Sequence, residues 1–302
     1  MRTLVLLLTF VALMSAAPRV DNVLEKMVPP GATALMGVHL DQVKQTEMFR
    51  RLPPAILEPL DRFPQNAGGF DPRRDMRELL YVGTPSGGVL LARGTFPVKQ
   101  TQWKDSQHKR HGQYEVWGEG RSAFCILDAT LAIAGEITAL ESALDEWTSG
   151  THTAAQALLS RAAQIDPQSQ LWGVSADLAA SFAEGILPGQ NSNGFDFAKG
   201  LRGLGEGWFD ADLSSGIHME IHGVTASEAD SVSLRDTLRG LVGLGRLNVP
   251  QGQPDLLRVW DGIVVEQKGR AITVRADIPQ SLAHKLIESF TPDAGRQNRR
   301  VL

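Results

Sequence analysis

Between Ile217 and Ile221 apolar and polar side chains alternate without a break. Ile217, Met219 and Ile221 fall on one side of a strand, and His218, Glu220 and His222 on the other. Residues 208–213 alternate in the same way, and Ser214-Ser215-Gly216 between the two runs supplies a three-residue loop with a glycine where the backbone needs a positive φ. The pattern predicts a hairpin. Pairing Leu213 with Ile217 sets Asp212 opposite His218, Asp210 opposite Glu220 and Trp208 opposite His222. In that register Leu213, Ala211 and Phe209 meet Ile217, Met219 and Ile221 on the apolar side, so the two faces agree. Residues 79–83 and 88–94 predict an earlier hairpin around Pro85-Ser86-Gly87. Helical spacing of Val232, Leu234, Leu238, Leu241, Val242 and Leu244 predicts a long helix over residues 226–247, and shorter helix-like runs fall at 42–52 and 178–186.

The pattern also recurs at long range. Residues 33–41 (TALMGVHLD) and 169–177 (SQLWGVSAD) share Leu, Gly, Val and Asp in register, and residues 120–128 (GRSAFCILD) and 269–277 (GRAITVRAD) share Gly, Arg and Asp. The offsets are 169 − 33 = 136 and 269 − 120 = 149, a drift that insertions in a diverged duplication produce. Each copy reads strand, helix, hairpin, helix, two strands, helix. In the first copy the region matching the long helix, 97–109, is short and polar. The expected fold is α+β: two tandem related units, antiparallel sheets with helices packed on one face. The first unit covers residues 18–148 and the second 154–290. The small polar stretch 149–153 is a linker and the basic run 291–302 a disordered tail.

The N-terminus changes the compartment. Arg2, the apolar run 4–14 and Ser15-Ala16-Ala17 make a cleavable signal peptide over residues 1–17, cut after Ala16 or Ala17. That run is too short to span a bilayer, which takes roughly 20 apolar residues. It ends without a cysteine to acylate, and no later stretch is long and apolar enough to cross a membrane. The expected location is periplasmic or secreted. Thirty Lys and Arg against 34 Asp and Glu give a net charge of −4 over 302 residues, with no basic block, which argues against a nucleic-acid partner. A single cysteine excludes an internal disulfide, so the fold rests on burial; Cys125, inside the apolar run 123–127, reads as a buried strand thiol.

Candidate chemistry concentrates on the hairpin. His218, Glu220 and His222 with Asp212, or with Asp210, are ordinary ligands for a divalent metal such as zinc, and an open position on such an ion could activate water for hydrolysis. The same pattern also describes the solvated face of an antiparallel strand. No helical His-Glu-x-x-His, no Gly-x-Ser-x-Gly and no Gly-Lys-Ser/Thr phosphate loop occurs. Ser106-Gln107-His108-Lys109 lacks the companion motifs of penicillin-recognising enzymes. His39, His108, His111, His152 and His284 are scattered, and sequence brings none of them near a carboxylate. Six tryptophans suggest a glycan platform, with Trp208 on the polar side of the hairpin beside His222.

The opening Pro29-Pro30-Gly31-Ala32-Thr33 followed by the strand 34–40, behind a signal peptide, resembles the starts of uncharacterised exported bacterial proteins of unknown function. That resemblance implies an envelope setting and no catalytic residues or cofactor. The expected function is a non-enzymatic binding protein whose partner is an envelope protein or a glycan. The alternative is a metal-binding protein or metal-dependent hydrolase using the 208–222 hairpin.

Overall fold

A computed structural model of the chain describes residues 19–52, 71–96, 108–150, 155–183 and 203–290. Its strands are β1 (Ala34–His39), β2 (Met76–Thr84), β3 (Gly87–Gly94), β4 (His108–His111), β5 (Tyr114–Glu119), β6 (Ser122–Asp128) and β7 (Leu131–Glu136), then β8 (Leu171–Ser175), β9 (Gly207–Asp212), β10 (Gly216–Val224), β11 (Ile263–Lys268) and β12 (Ala271–Pro279). They pair antiparallel in one twelve-stranded sheet, in the order β11-β12-β10-β9-β8-β1-β2-β3-β7-β6-β5-β4. The two stretches read as separate units share this sheet, joined where β1 pairs with β8.

The predicted hairpins form. In β9–β10 Asp212 lies opposite His218, Asp210 opposite Glu220 and Trp208 opposite His222. The turns of β5–β6 and β11–β12 begin with Gly120 (φ +65°) and Gly269 (φ +58°), the first of two loop residues in each case, where a left-handed backbone is needed. Of the segment 97–109, read as the first copy's short counterpart of the long helix, residues 97–107 lie outside the described residues, and from His108 the chain forms the β4–β5 hairpin. The helix expected over 42–52 is two short turns, α2 (Leu40–Val43) and α3 (Glu47–Arg50), and a further turn, α4 (Pro72–Asp75), leads into β2. Of the linker, Ser149 closes a helix and Gly150 caps it at φ +67°. The signal peptide, residues 151–153 and the tail 291–302 lie outside the described residues.

Register decides which side chains share a face. Leu35, Leu80, Leu91 and Ile133 lie on one face with Trp172 and Val174, whereas Met36, Gly173, Phe209 and Ile221 lie on the other. On the first face, α1 (Asn22–Glu25), α5 (Ile137–Ser149) and α6 (Gln156–Ala162) insert Leu24, Leu140, Leu144 and Leu158 into the large core. On the second, α7 (Leu178–Ala183), α8 (Glu228–Leu247) and α10 (Gln280–Phe290), with α9 (Pro254–Asp261) beside them, contribute Leu178, Leu234, Leu238 and Leu282. Ser227 caps α8 by accepting from the Asp230 amide at 3.1 Å.

The expectation of helices on one face is therefore corrected. They cover opposite faces at the two ends of the sheet, because β2, β3 and β7 turn their branched residues to the first face while β10 and β12 turn His218, Glu220, His222 and Arg275 to it. Charged positions stay in water and the helices go to the other side.

The seam between the halves is close-packed. Gly37 faces Trp172 across β1–β8, and a Cβ at Gly37 would fall 2.2 Å from the indole ring. Gly173 likewise leaves room for Phe209 and Met36.

Candidate functional site

The hairpin residues share a face but do not share a point. His218 Nδ1 lies 2.9 Å from Asp277 on β12, and its Nε2 lies 3.0 Å from the Ser215 hydroxyl. Glu220 accepts from Arg275 at 3.1 Å, and Arg275 reaches Glu266 at 2.7 Å. His222 meets the Thr273 hydroxyl at 3.2 Å and stacks on Trp208, with ring centroids 5.5 Å apart. Asp212 accepts from the Ser214 amide and hydroxyl, both at 2.9 Å, and from the Gln170 side chain at 3.0 Å. Burial would raise its pKa, but these hydrogen bonds outweigh that and hold it below the ordinary aspartate value. Among the described residues no group of three or more His, Cys, Asp or Glu is placed to hold a metal ion. Elemental analysis of purified residues 18–302 after a weak chelator is expected to find no stoichiometric zinc, manganese or iron. About one ion per chain, lost in a His218→Ala/His222→Ala variant, would show the opposite.

The remaining tryptophan positions are mostly structural. Trp172 is fully buried, Trp260 packs over Gly245, and Trp117 stacks on His108 at 4.7 Å. Trp208 is half-buried against the large core. Cys125 has no exposed surface, and burial pushes its thiol up to about 12, so it is an inert core residue.

The hairpin is one end of a polar row that crosses the sheet. From Asp277 and His218 the register passes to Asp212 and Gln170, then to His39 on β1, Glu78 on β2 and Arg93 on β3. At its β1–β3 end the row opens into a cleft of about 270 Å³. His39 Nδ1 and Glu78 Oε1 are 3.8 Å apart, each side chain 18% exposed. Asp21, just before α1, donates its amide to Glu78 at 3.3 Å and stands 3.6 Å from Arg93 Nε. Arg93 is fixed from behind by the Thr130 hydroxyl and carbonyl at 2.8 and 3.2 Å. Asp41, Gln42 and Arg77 form the rim.

Electrostatics single out this end. Burial pushes the Glu78 carboxyl up to about 7, with the Asp21 charge adding to the effect while the Asp21 amide, Arg93 and Arg19 oppose it. Burial and the Arg19 charge push His39 down to about 4, so the imidazole is neutral at pH 7. Arg19 itself is buried, donates to the Ser169 carbonyl at 2.7 Å and lies over the Trp172 ring at 5.3 Å. Desolvation lowers its pKa to about 10, so it keeps its charge at neutral pH. Three carboxylates, a neutral imidazole and two guanidiniums line one cleft, and burial displaces the titrations of Glu78 and His39 there, which are features of a functional site.

Sequence reasoning located the hairpin end and missed this one. The signal available was that His39 ends one apolar strand and Glu78 lies near the start of the next; only their pairing brings them together.

No family model matches the chain, and no curated protein resembles it in sequence. Its fold is similar to that of TP0453. Crystal form I of that protein aligns with a TM-score of 0.52 at 8% identity, over 89% of this chain and 97% of that one. Forms III and IV align at TM-scores of 0.47 and 0.45, with 9% and 10% identity. The likeness to form I is one of fold alone.

Proposed function

We propose that the protein is an exported, non-enzymatic binding protein of the bacterial envelope, and that the cleft at the ends of β1–β3 is its ligand site. The observation that carries this reading is the partnering of Glu78. Its carboxyl is largely buried, receives one long hydrogen bond from Asp21, and stops 3.8 Å short of His39, so it keeps acceptor capacity toward the cleft. Export is supported by the apolar run 4–14 ahead of small residues at 15–17. Close after the proposed cleavage site the chain is built into the core through Val20, Leu24, Met27 and Val28. No helix among the described residues is long and apolar enough to cross a membrane.

The two halves are proposed to be related units. Supporting this, β1-β2-β3-β7-β6 and β8-β9-β10-β12-β11 run outward from the β1–β8 seam in the same chain order, with matching glycines Gly37 and Gly173 at the seam. What they share is the strand path. Among the described residues the helix layers at the two ends of the sheet lie on opposite faces, β4–β5 has no counterpart, and β12 answers β7 by position although its sequence reads most like β6.

The test is residue-level mapping. Amide resonances of the mature protein are followed while small envelope metabolites are added one at a time. Shifts clustered at Asp21, His39, Asp41, Arg77 and Glu78 support the cleft. Shifts confined to the 208–222 hairpin, or none with any compound, overturn it.

A further inference from the structure

The cleft discriminates among ligands by its size and lining. At about 270 Å³ it is below the range of roughly 300–1,000 Å³ that holds drug-sized molecules. Apart from the His39 imidazole no aromatic or aliphatic side chain lines it, so it offers little for a base, a sugar ring or an acyl chain to lie against. Its lining is of mixed sign, with Asp21, Asp41 and Glu78 against Arg77 and Arg93.

Those charges are not equally available. Arg93 is held by Thr130 and faces Asp21, and Asp41 lies 3.8 Å from Lys44. Arg77 is exposed and donates to the Gly94 carbonyl at 3.2 Å, which leaves most of its planar fork for a ligand. Glu78 retains its open acceptor capacity.

Arg77 and Glu78 are sequence neighbours, and neighbours on a regular strand point to opposite faces. They reach the same cleft because β2 carries a β-bulge there: Met76 pairs with Gly94 and Glu78 with Arg93, leaving Arg77 as the extra residue. A bulge re-aims one side chain at the cost of local ladder pairing, and such bulges occur preferentially at sites and rims. The result is an unused cation and an unused anion side by side in a small polar cavity.

We infer that the cleft takes a small zwitterion of the α-amino-acid class, its carboxylate on Arg77 and its ammonium on Glu78. This rests on the reading of the cleft as the ligand site. A guanidinium matches a carboxylate in geometry, and an ammonium supplies the donors that Glu78 lacks.

The probes are L-alanine, ethylamine and propionate, titrated by calorimetry and by amide shifts into the mature protein and into Arg77→Gln and Glu78→Gln variants whose melts show them folded. L-alanine is expected to bind the native protein at least about tenfold more tightly than either fragment. Arg77→Gln is expected to weaken L-alanine by about tenfold or more and to leave ethylamine unchanged, while Glu78→Gln weakens both. Either fragment matching L-alanine, or L-alanine binding indifferent to both substitutions, overturns the inference. If none of the three moves the cleft resonances while some other metabolite does, the zwitterion falls and the ligand site stands. If no compound moves them, both fall.

Discussion

Trp172→Ala is expected to lower the stability of the protein by about 3–5 kcal/mol, the cost of emptying a large aromatic site in a core that cannot fully collapse. Trp172 is 1% exposed and sits where the two halves of the sheet meet. Its ring lies against Gly37 across the strand pair and under the guanidinium of Arg19. Removing it leaves a cavity between β1 and β8 and strips Arg19, a buried cation, of its aromatic partner. The reverse error is also costly. Gly37→Ala places a methyl 2.2 Å from the ring, and both groups are held by strand pairing, so about 1–3 kcal/mol of overpacking is expected. The two changes occupy the same space. In the double variant the new methyl sits in the cavity the indole vacated, so its cost should fall short of the sum of the single costs by about 1 kcal/mol or more. Urea unfolding of the four proteins measures this. Strictly additive costs would mean that Gly37 is required for some reason other than room for Trp172.

How far the sequence could be read depends on whether a contact was set locally. The register of β9–β10 was legible because alternation and loop length act within the fifteen residues 208–222, and it holds residue by residue from Trp208–His222 to Asp212–His218. The buried strand around Cys125 was legible for the same reason. The functional meaning of the hairpin was not. Its His and Glu groups look like ligands until β12 adds Asp277, Thr273 and Arg275, which take His218, His222 and Glu220 in turn. The cleft was invisible for the complementary reason. β1 supplies His39, the distant β2–β3 hairpin supplies Glu78 and Arg93, the segment before α1 supplies Asp21, and a bulge with no sequence signature turns Arg77 toward them. The side taken by the helices depends on the face parity of every strand summed across the seam. A prediction made unit by unit had no access to that sum, and placed all the helices on one face.

Glu78→Gln is expected to raise stability at alkaline pH and to leave it unchanged in acid. Burial moves the Glu78 titration from 4.5 to about 7, so the folded state binds its proton more tightly than the unfolded chain does. Ionising it while folded therefore costs on the order of 3 kcal/mol, a penalty complete above pH 7 and absent below about 4.5. His39 works in the opposite sense. Its titration is lowered from 6.5 to about 4, so its contribution to stability is present above pH 6.5 and is lost as the pH falls toward 4. Between about 4.5 and 6.5 the two changes offset each other in the native protein, and only above that window does Glu78 act alone. A neutral amide still accepts the Asp21 N–H, so the substitution removes the charge and keeps the hydrogen bond. At pH 8 the variant should melt several degrees higher than the native protein, at roughly 2 °C per kcal/mol for a chain of this size. The gap should narrow through pH 7 and vanish below about 4.5. A variant that melts lower at pH 8 would mean that Arg19 and Arg93 stabilise the ionised carboxylate, and that Glu78 belongs to a structural ion-pair network rather than to a site held open for a ligand. A higher melt combined with lost L-alanine binding would instead be the signature of a group kept at a cost to stability for the sake of function.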